Sequence, residues 1–350
     1  LGNSGLSTRL KRDEQRFVYY NERPPPNTEV DVSSVLIQMG LLIGCGIAWR
    51  WLRPGGIEAD TLRQAITSLV YYLLLPAMVL SVLTRATLGV ESLRIALFGA
   101  GTILFGMVLT PLLCRARSME PARRGAALLA MAFSNVTFLG LPLLEQAFGA
   151  WTRALVLQID FFASSPLLYT LGVLASRRYG REAPGPVSRR VIDRVNPPLL
   201  AALVAVLLNL SGLNWPDWLE RSLNLLAQAV IPLMLIALGL GLRGHFEGDH
   251  YRSTLLQVLL GRLLLVPLFG VGWGLTLDFS GDTLTALVLE SAMPCMAMGI
   301  VFCDRYRLDT AFYAMVTTLS TVLAWLTLPF WREWGDGLAF SKILLANPFP

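Results

Sequence analysis

Apolar residues fall along this chain in long runs, not in the strict alternation of a half-buried strand or the single stripe of a soluble helix. Ten runs stand out, at 32–52, 61–84, 93–114, 123–148, 152–176, 196–213, 219–242, 254–275, 283–303 and 309–331. Each is near the ~20 residues a helix needs to cross the hydrocarbon core, and the connections are too short for separate soluble domains. The pattern predicts an all-α integral membrane protein with ten transmembrane helices. Composition agrees: 54% of the 350 residues are hydrophobic, only 15% are charged, and the mean hydropathy is +0.55, where a soluble domain carries roughly 25% charge.

Outside the runs lies a polar tail, residues 1–31, ending near a triple proline and lacking the apolar core of a signal peptide. It is read as flexible, with no function assigned. The rest divides at a short basic linker, 177–195, into halves at 32–176 and 196–331, followed by a C-terminal tail at 332–350. Prolines mark the halves as copies. Pro76 and Pro232 are 156 residues apart, as are Pro111 and Pro267, while Pro142 and Pro294 are 152 apart. Five crossings per copy is an odd number, so the second copy enters the membrane from the opposite side. Inverted five-helix repeats with paired broken helices are a transporter signature, because one bundle rocking against the other exposes a midplane site alternately to each side.

Charge adds orientation. Seventeen Lys and Arg fall on the side that holds the 177–195 linker; the other side has six, or eleven with the N-terminal tail. The positive-inside rule puts that linker in the cytoplasm and both termini outside it, in a cell inner membrane. The net charge of +5 then needs no nucleic-acid partner. Cys45, Cys114, Cys295 and Cys303 lie in or at the edges of spans, without metal-ligand spacing or a disulfide framework. No cofactor or metal is expected.

Within 133–149 runs FSNVTFLGLPLLEQAFG, which sets Asn135, Thr137, Gly140, Pro142 and Glu145 inside an apolar span. A helix broken at Gly140 to Pro142, matched by one near Pro294 to Gly299, leaves N–H and carbonyl groups unpaired at mid-depth. Such backbone survives only against protein or a water-filled cavity. Half-helix N-termini carry roughly +0.5 charge and favour an anion. The polar residues would then line a ligand cavity.

NVTFLGLP followed by LLEQAFG resembles the fourth helix of the auxin efflux carrier family, which includes the plant PIN-formed auxin transporters and bacterial relatives. SAMPCMAMGIVFCDRY, TTLSTVLAWLTLPFW, RVNPPLLAALV and AVIPLMLIALGLGL resemble its ninth, tenth, sixth and seventh helices, so the similarity covers roughly 32–331. The resemblance implies two inverted five-helix repeats whose fourth and ninth helices are broken and cross, and export of organic anions bound at that crossover. It carries Asn135, Gly140 and Pro142 over as the first half of the site, Pro294 as the second crossover proline, and Gln158 as the fifth-helix Gln of the plant members. Dimers are known in the family, so a homodimer is a candidate assembly. The chain departs from the pattern after Pro294, where Cys295, Met296, Ala297 and Met298 replace the Thr or Asn of bacterial relatives, so Cys295 and Met298 would line a less polar wall. Glu290 stands where the plant members have Gln.

Several residues admit two readings. Burying the charge of Glu290 costs at least ~2.5 kcal/mol on insertion scales; it either carries a coupling proton or sits wetted near the outer interface. Asp160 either joins the site or pairs with Arg262. Arg262 neutralises a carboxylate, attracts the anion or snorkels to the interface. Glu145 faces the cavity or only a water-filled vestibule, and Asn135 contacts ligand or glues helices together. Gly40, Gly44, Gly101 and Gly106 read as close-packing positions. HFEGDH at 245–250 holds the only two histidines, lacks the spacing of a zinc protease, and is read as a solvated loop. The expected function is a carrier, with efflux as the expected direction, for small organic anions such as carboxylates. A non-transporting receptor and, more remotely, a membrane-embedded enzyme are the alternatives.

Overall fold

A computed structural model describes residues 32–86, 88–114, 119–180, 197–213, 215–241 and 252–346. These residues are helical throughout, with no strand among them beyond one isolated bridge. In chain order the helices are α1 (Val32–Leu52), α2 (Ala59–Leu83), α3 (Val90–Leu113), α4 (Pro121–Ala132), α5 (Val136–Phe148), α6 (Thr152–Tyr179), α7 (Pro197–Ser211), α8 (Asp217–Gly241), α9 (Arg252–Thr276), α10 (Gly281–Ser291), α11 (Gly299–Tyr306) and α12 (Thr310–Ala346). Six of them, α2, α3, α6, α8, α9 and α12, are long and apolar enough to cross a membrane. α12 continues to Ala346, beyond the tenth run's expected end at 331. The HFEGDH stretch and most of the basic linker lie outside the described residues.

Prolines accompany four of the five widened turns among the described residues; the fifth, Leu168–Gly172, has none after it within its helix. Widened π-type turns at Val70–Leu74, Val136–Gly140, Asp160–Ser164 and Gly261–Leu265 each end two residues before a proline: Pro76, Pro142, Pro166 and Pro267. Proline has no N–H, and its ring crowds the carbonyl four residues back. Widening the preceding turn relieves the crowding without breaking the helix. Before Pro267 the released carbonyl is that of Leu263, and it accepts the Trp331 indole N–H at 2.8 Å.

The helices pack as two groups. α1, α2, α7 and α8 find their closest partners among themselves, and so do α3 to α6 with α9 to α12. In the first group α1 and α8 touch backbone to backbone at Gly46 and Gly239: a Cβ on Gly46 would lie 2.7 Å from the Leu240 nitrogen. Asn209 of α7 donates to the carbonyls of Leu83, Thr84 and Ala86 at 2.7–3.0 Å, closing the C-terminus of α2. Arg85 and Glu220 join α2 to α8. In the second group Trp273 Nε1 bonds the Leu97 carbonyl at 3.0 Å, and Arg123 pairs with Asp309 at 3.1 Å. Gly101 lies under the Trp273 ring, Gly106 lies on the backbone of Ala132, and Gly40 meets Trp325. Gly44 has nothing within 4 Å of its would-be Cβ, so close packing does not account for that glycine. Large apolar side chains such as Leu41, Val108, Leu207 and Leu326 are exposed on the outer surface, as a lipid-facing exterior requires.

Candidate functional site

Between α4 and α5 the chain is extended at Phe133 (φ −103°, ψ 117°) and non-helical at Asn135 (φ −82°, ψ 61°). A second interruption separates α10 from α11. The two meet in the protein interior as a single antiparallel bridge, Ser134 to Cys295. The Asn135 N–H donates to the Pro294 carbonyl at 2.8 Å, and the Met296 N–H to the Phe133 carbonyl at 3.0 Å. Backbone groups released by one break are thus satisfied by the other, which is how non-helical backbone persists in an apolar interior. The first break falls at 133–135, not at Gly140 to Pro142 as expected from the motif. Pro142 is accommodated by the widened turn Val136–Gly140, which leaves the helix continuous there. Gly140 has a different reason to be small: a Cβ there would press on the Glu290 carboxyl oxygens.

Arg262 of α9 holds the crossing together. Its side chain is 1% exposed. The guanidinium donates to the carbonyls of Met131 at 3.1 Å, Met293 at 3.0 Å and Ser291. Met131 lies in the last turn of α4 and Ser291 ends α10, so one cation sits at the negative ends of two half-helices and fills carbonyls that have no partner within them. Arg262 therefore neither snorkels nor pairs with Asp160. Sequence reading identified the charge without its role, because the carbonyls that receive it lie on other helices.

Beside the first break opens a cavity of about 720 Å³ including its mouth. Its floor is the break itself, from Phe133 to Phe138; α6 contributes Asp160 and Tyr169, α2 contributes Tyr71, and Met296 and Met298 come from the second break. Asn135 is 1% exposed, lines this cavity, and its Nδ2 has no hydrogen-bond partner among the described residues. Thr137 donates its hydroxyl to one Asp160 carboxylate oxygen, and Ser165 donates to the other at 3.1 Å. A second cavity, about 570 Å³, runs between Arg63 and Thr67 of α2, Ala237 to Gly241 of α8, and Thr317 and Thr318 of α12. Phe138 and Met298 line both cavities. The aromatic and serine lining from α2 and α6 carries no motif in the sequence and becomes visible only when the helices are brought together.

The remaining expected site residues are scattered around this floor. Pro294 lends its carbonyl to Asn135, while Cys295 turns away from the cavity toward Thr317 and Ser320, at 3.2 and 3.5 Å. Gln158 is 4% exposed, with an Oε1 that has no partner among the described residues, and Pro142 is buried; neither lines either of these two cavities. Glu145 is tied to Arg153, away from both cavities. Glu290 is 1% exposed, buried and not at an outer interface, and neither carboxyl oxygen has a hydrogen-bond partner among the described residues. No cluster of three or more metal-ligating side chains occurs among the described residues.

An apolar helical protein with two helix breaks meeting beside an open interior cavity has the build of a membrane transport protein. Residues 40–184 and 187–332 match the family described as membrane transport protein. The chain belongs to that family, the auxin efflux carriers. It is 30% identical over 282 residues to an uncharacterized transporter of Methanothermobacter thermautotrophicus, covering 79% of this chain and 89% of that protein. An uncharacterized transporter of Methanocaldococcus jannaschii is 23% identical over 286 residues, 79% and 91% of the two chains. The uncharacterized transporter YfdV of Escherichia coli is 24% identical over 205 residues, 56% and 63%.

Proposed function

We propose that this protein is a secondary carrier that moves small organic anions across the inner membrane by alternating access around the crossing of its two broken helices. In this reading α4 with α5 and α10 with α11 are the fourth and ninth of ten spans, arranged as two inverted five-helix repeats. The basic connections face the cytoplasm and both termini lie outside it. The carrying observation is Asn135: a buried amide donor without a partner, at the head of a 13-residue half-helix, facing an open cavity. The first-turn N–H groups of α5, at Val136, Thr137 and Phe138, have no partner within the helix. Together with Asn135 they suit a carboxylate. Efflux is the expected direction.

The test is counterflow in proteoliposomes with labelled mono- and dicarboxylates and indole-3-acetate, in the wild type and in Asn135→Ala. Losing one hydrogen bond to a charged group costs about 1.5–3 kcal/mol, so half-saturating concentrations should rise about 10- to 100-fold in a variant that still inserts and purifies normally. Unchanged exchange in Asn135→Ala would remove the anion from this position. Saturable binding without exchange would favour a receptor.

A further inference from the structure

We propose that the transported carboxylate belongs to a zwitterion, a small amino acid with an apolar or aromatic side chain, held by its carboxylate at Asn135 and by its ammonium at Asp160. The inference rests on the carrier reading above and narrows its substrate class. Two halves of the cavity floor differ in sign. Asn135 Nδ2 and the first-turn N–H groups of α5 are donors, as a carboxylate requires. Asp160 offers the opposite: it is half-buried, opens on the same cavity, and is the only charged side chain among the described residues lining it. No described basic side chain forms an ion pair with it, and its partners are the hydroxyls of Thr137 and Ser165, one on each oxygen. Each oxygen has two acceptor positions, so both retain room for an ammonium.

Geometry sets the spacing between the two ends. Thr137 belongs to the first turn of α5 and also bonds Asp160. The donors for the carboxylate and the acceptor for the ammonium are therefore one side chain apart, which suits amine and acid on the same or neighbouring carbons. A plain carboxylate bound at Asn135 would face the Asp160 charge across a cavity with no basic residue to offset it, whereas an ammonium neutralises that charge. Tyr71 and Tyr169 line the adjoining walls, and aromatic rings of this kind attract a cation. Apart from Ser134, Ser164 and Ser165, the rest of the wall is apolar, chiefly Phe, Met and Leu, a surface for an apolar side chain and a poor one for a second carboxylate.

The experiment is counterflow in proteoliposomes with three labelled compounds of one skeleton: phenylalanine, 3-phenylpropanoate, which lacks the amine, and phenethylamine, which lacks the acid. Wild type should exchange phenylalanine at least tenfold better than either. Asp160→Asn should lower phenylalanine exchange at least tenfold and narrow its advantage over 3-phenylpropanoate. Equal exchange of phenylalanine and 3-phenylpropanoate by the wild type would overturn the zwitterion and leave the anion carrier standing. Exchange of phenethylamine alone would overturn both. Exchange of none of the three, with indole-3-acetate or a dicarboxylate still moving, would overturn the zwitterion only. The wild-type comparison needs no variant, so a poorly folded Asp160→Asn does not shield the proposal.

Discussion

Buried Arg262 illustrates how much one residue does at this crossing. Its three carbonyl partners lie 131, 29 and 31 residues away in sequence, on the ends of half-helices that have no N–H of their own to offer. Hydrogen bonds involving a charged group contribute about 1.5–3 kcal/mol each, and an abandoned buried acceptor costs about 1–3 kcal/mol. Arg262→Gln keeps length for at most two of the three bonds and loses the charge. It should destabilise the protein by about 3 kcal/mol or more, read as a lower melting temperature of purified protein in detergent. Arg262→Lys, a point charge in place of a planar fork, should fall between. Melting equal to wild type in both variants would mean that the carbonyls do not depend on the guanidinium. An arginine inside an apolar run announces a buried task in the sequence. Its partners were not legible there, because main-chain carbonyls have no residue type and become available only where a helix ends.

At the scale of the element, prolines foretold irregular helices correctly but misplaced one break. Pro294 lies in the interruption between α10 and α11, as expected. Pro142 does not interrupt α5, and the break before α5 contains no proline at all. A proline in a helix interior costs about 3 kcal/mol if the helix stays regular, and a widened turn avoids most of that cost locally. Where a helix actually parts is decided by what receives its released backbone groups, here the strand-like pairing of Ser134 with Cys295, and that partner is 161 residues downstream by numbering. The same logic makes Trp331 and Pro267 a coupled pair. Trp331→Phe leaves the Leu263 carbonyl without its indole donor and should cost about 1 kcal/mol or more. Pro267→Ala restores the backbone N–H that can reach that carbonyl, so the tryptophan change should cost less in the Pro267→Ala background. Additive melting shifts in the double variant would sink this account of the widened turn at Gly261–Leu265.

For the whole molecule, the two helix groups and the cavities between them bear on transport. Both cavities are walled on one side by α2 with α7 or α8 and on the other by the crossing with α6 or α12, so both lie on the seam between the groups. The polar ties described above, Arg85 to Glu220, Asn209 to the end of α2, Arg123 to Asp309 and Arg262 to the crossing, each join helices of one group. Across the seam the contact of α1 with α12 is an apolar one, Gly40 against Trp325, and Tyr71 of α2 shares a side-chain hydrogen bond with Tyr169 of α6. Such a seam permits one group to shift on the other by giving up little beyond the Tyr71–Tyr169 bond while the bonds that keep each group rigid stay intact, which is what alternating access asks of a carrier. Thr67 of α2 and Thr318 of α12 line the second cavity from opposite sides of this seam. With the exposed Cys45 replaced by Ser and the other cysteines left buried, a flexible thiol-to-thiol bridge between Thr67→Cys and Thr318→Cys should cut exchange at least tenfold, with either single variant active after the same treatment. A bridge between Arg123→Cys and Asp309→Cys, which links α4 to α12 inside one group, should leave exchange largely intact. Full exchange through the Thr67–Thr318 bridge would mean that the groups move as one body, and that substrate crosses by rearrangement of the broken helices alone.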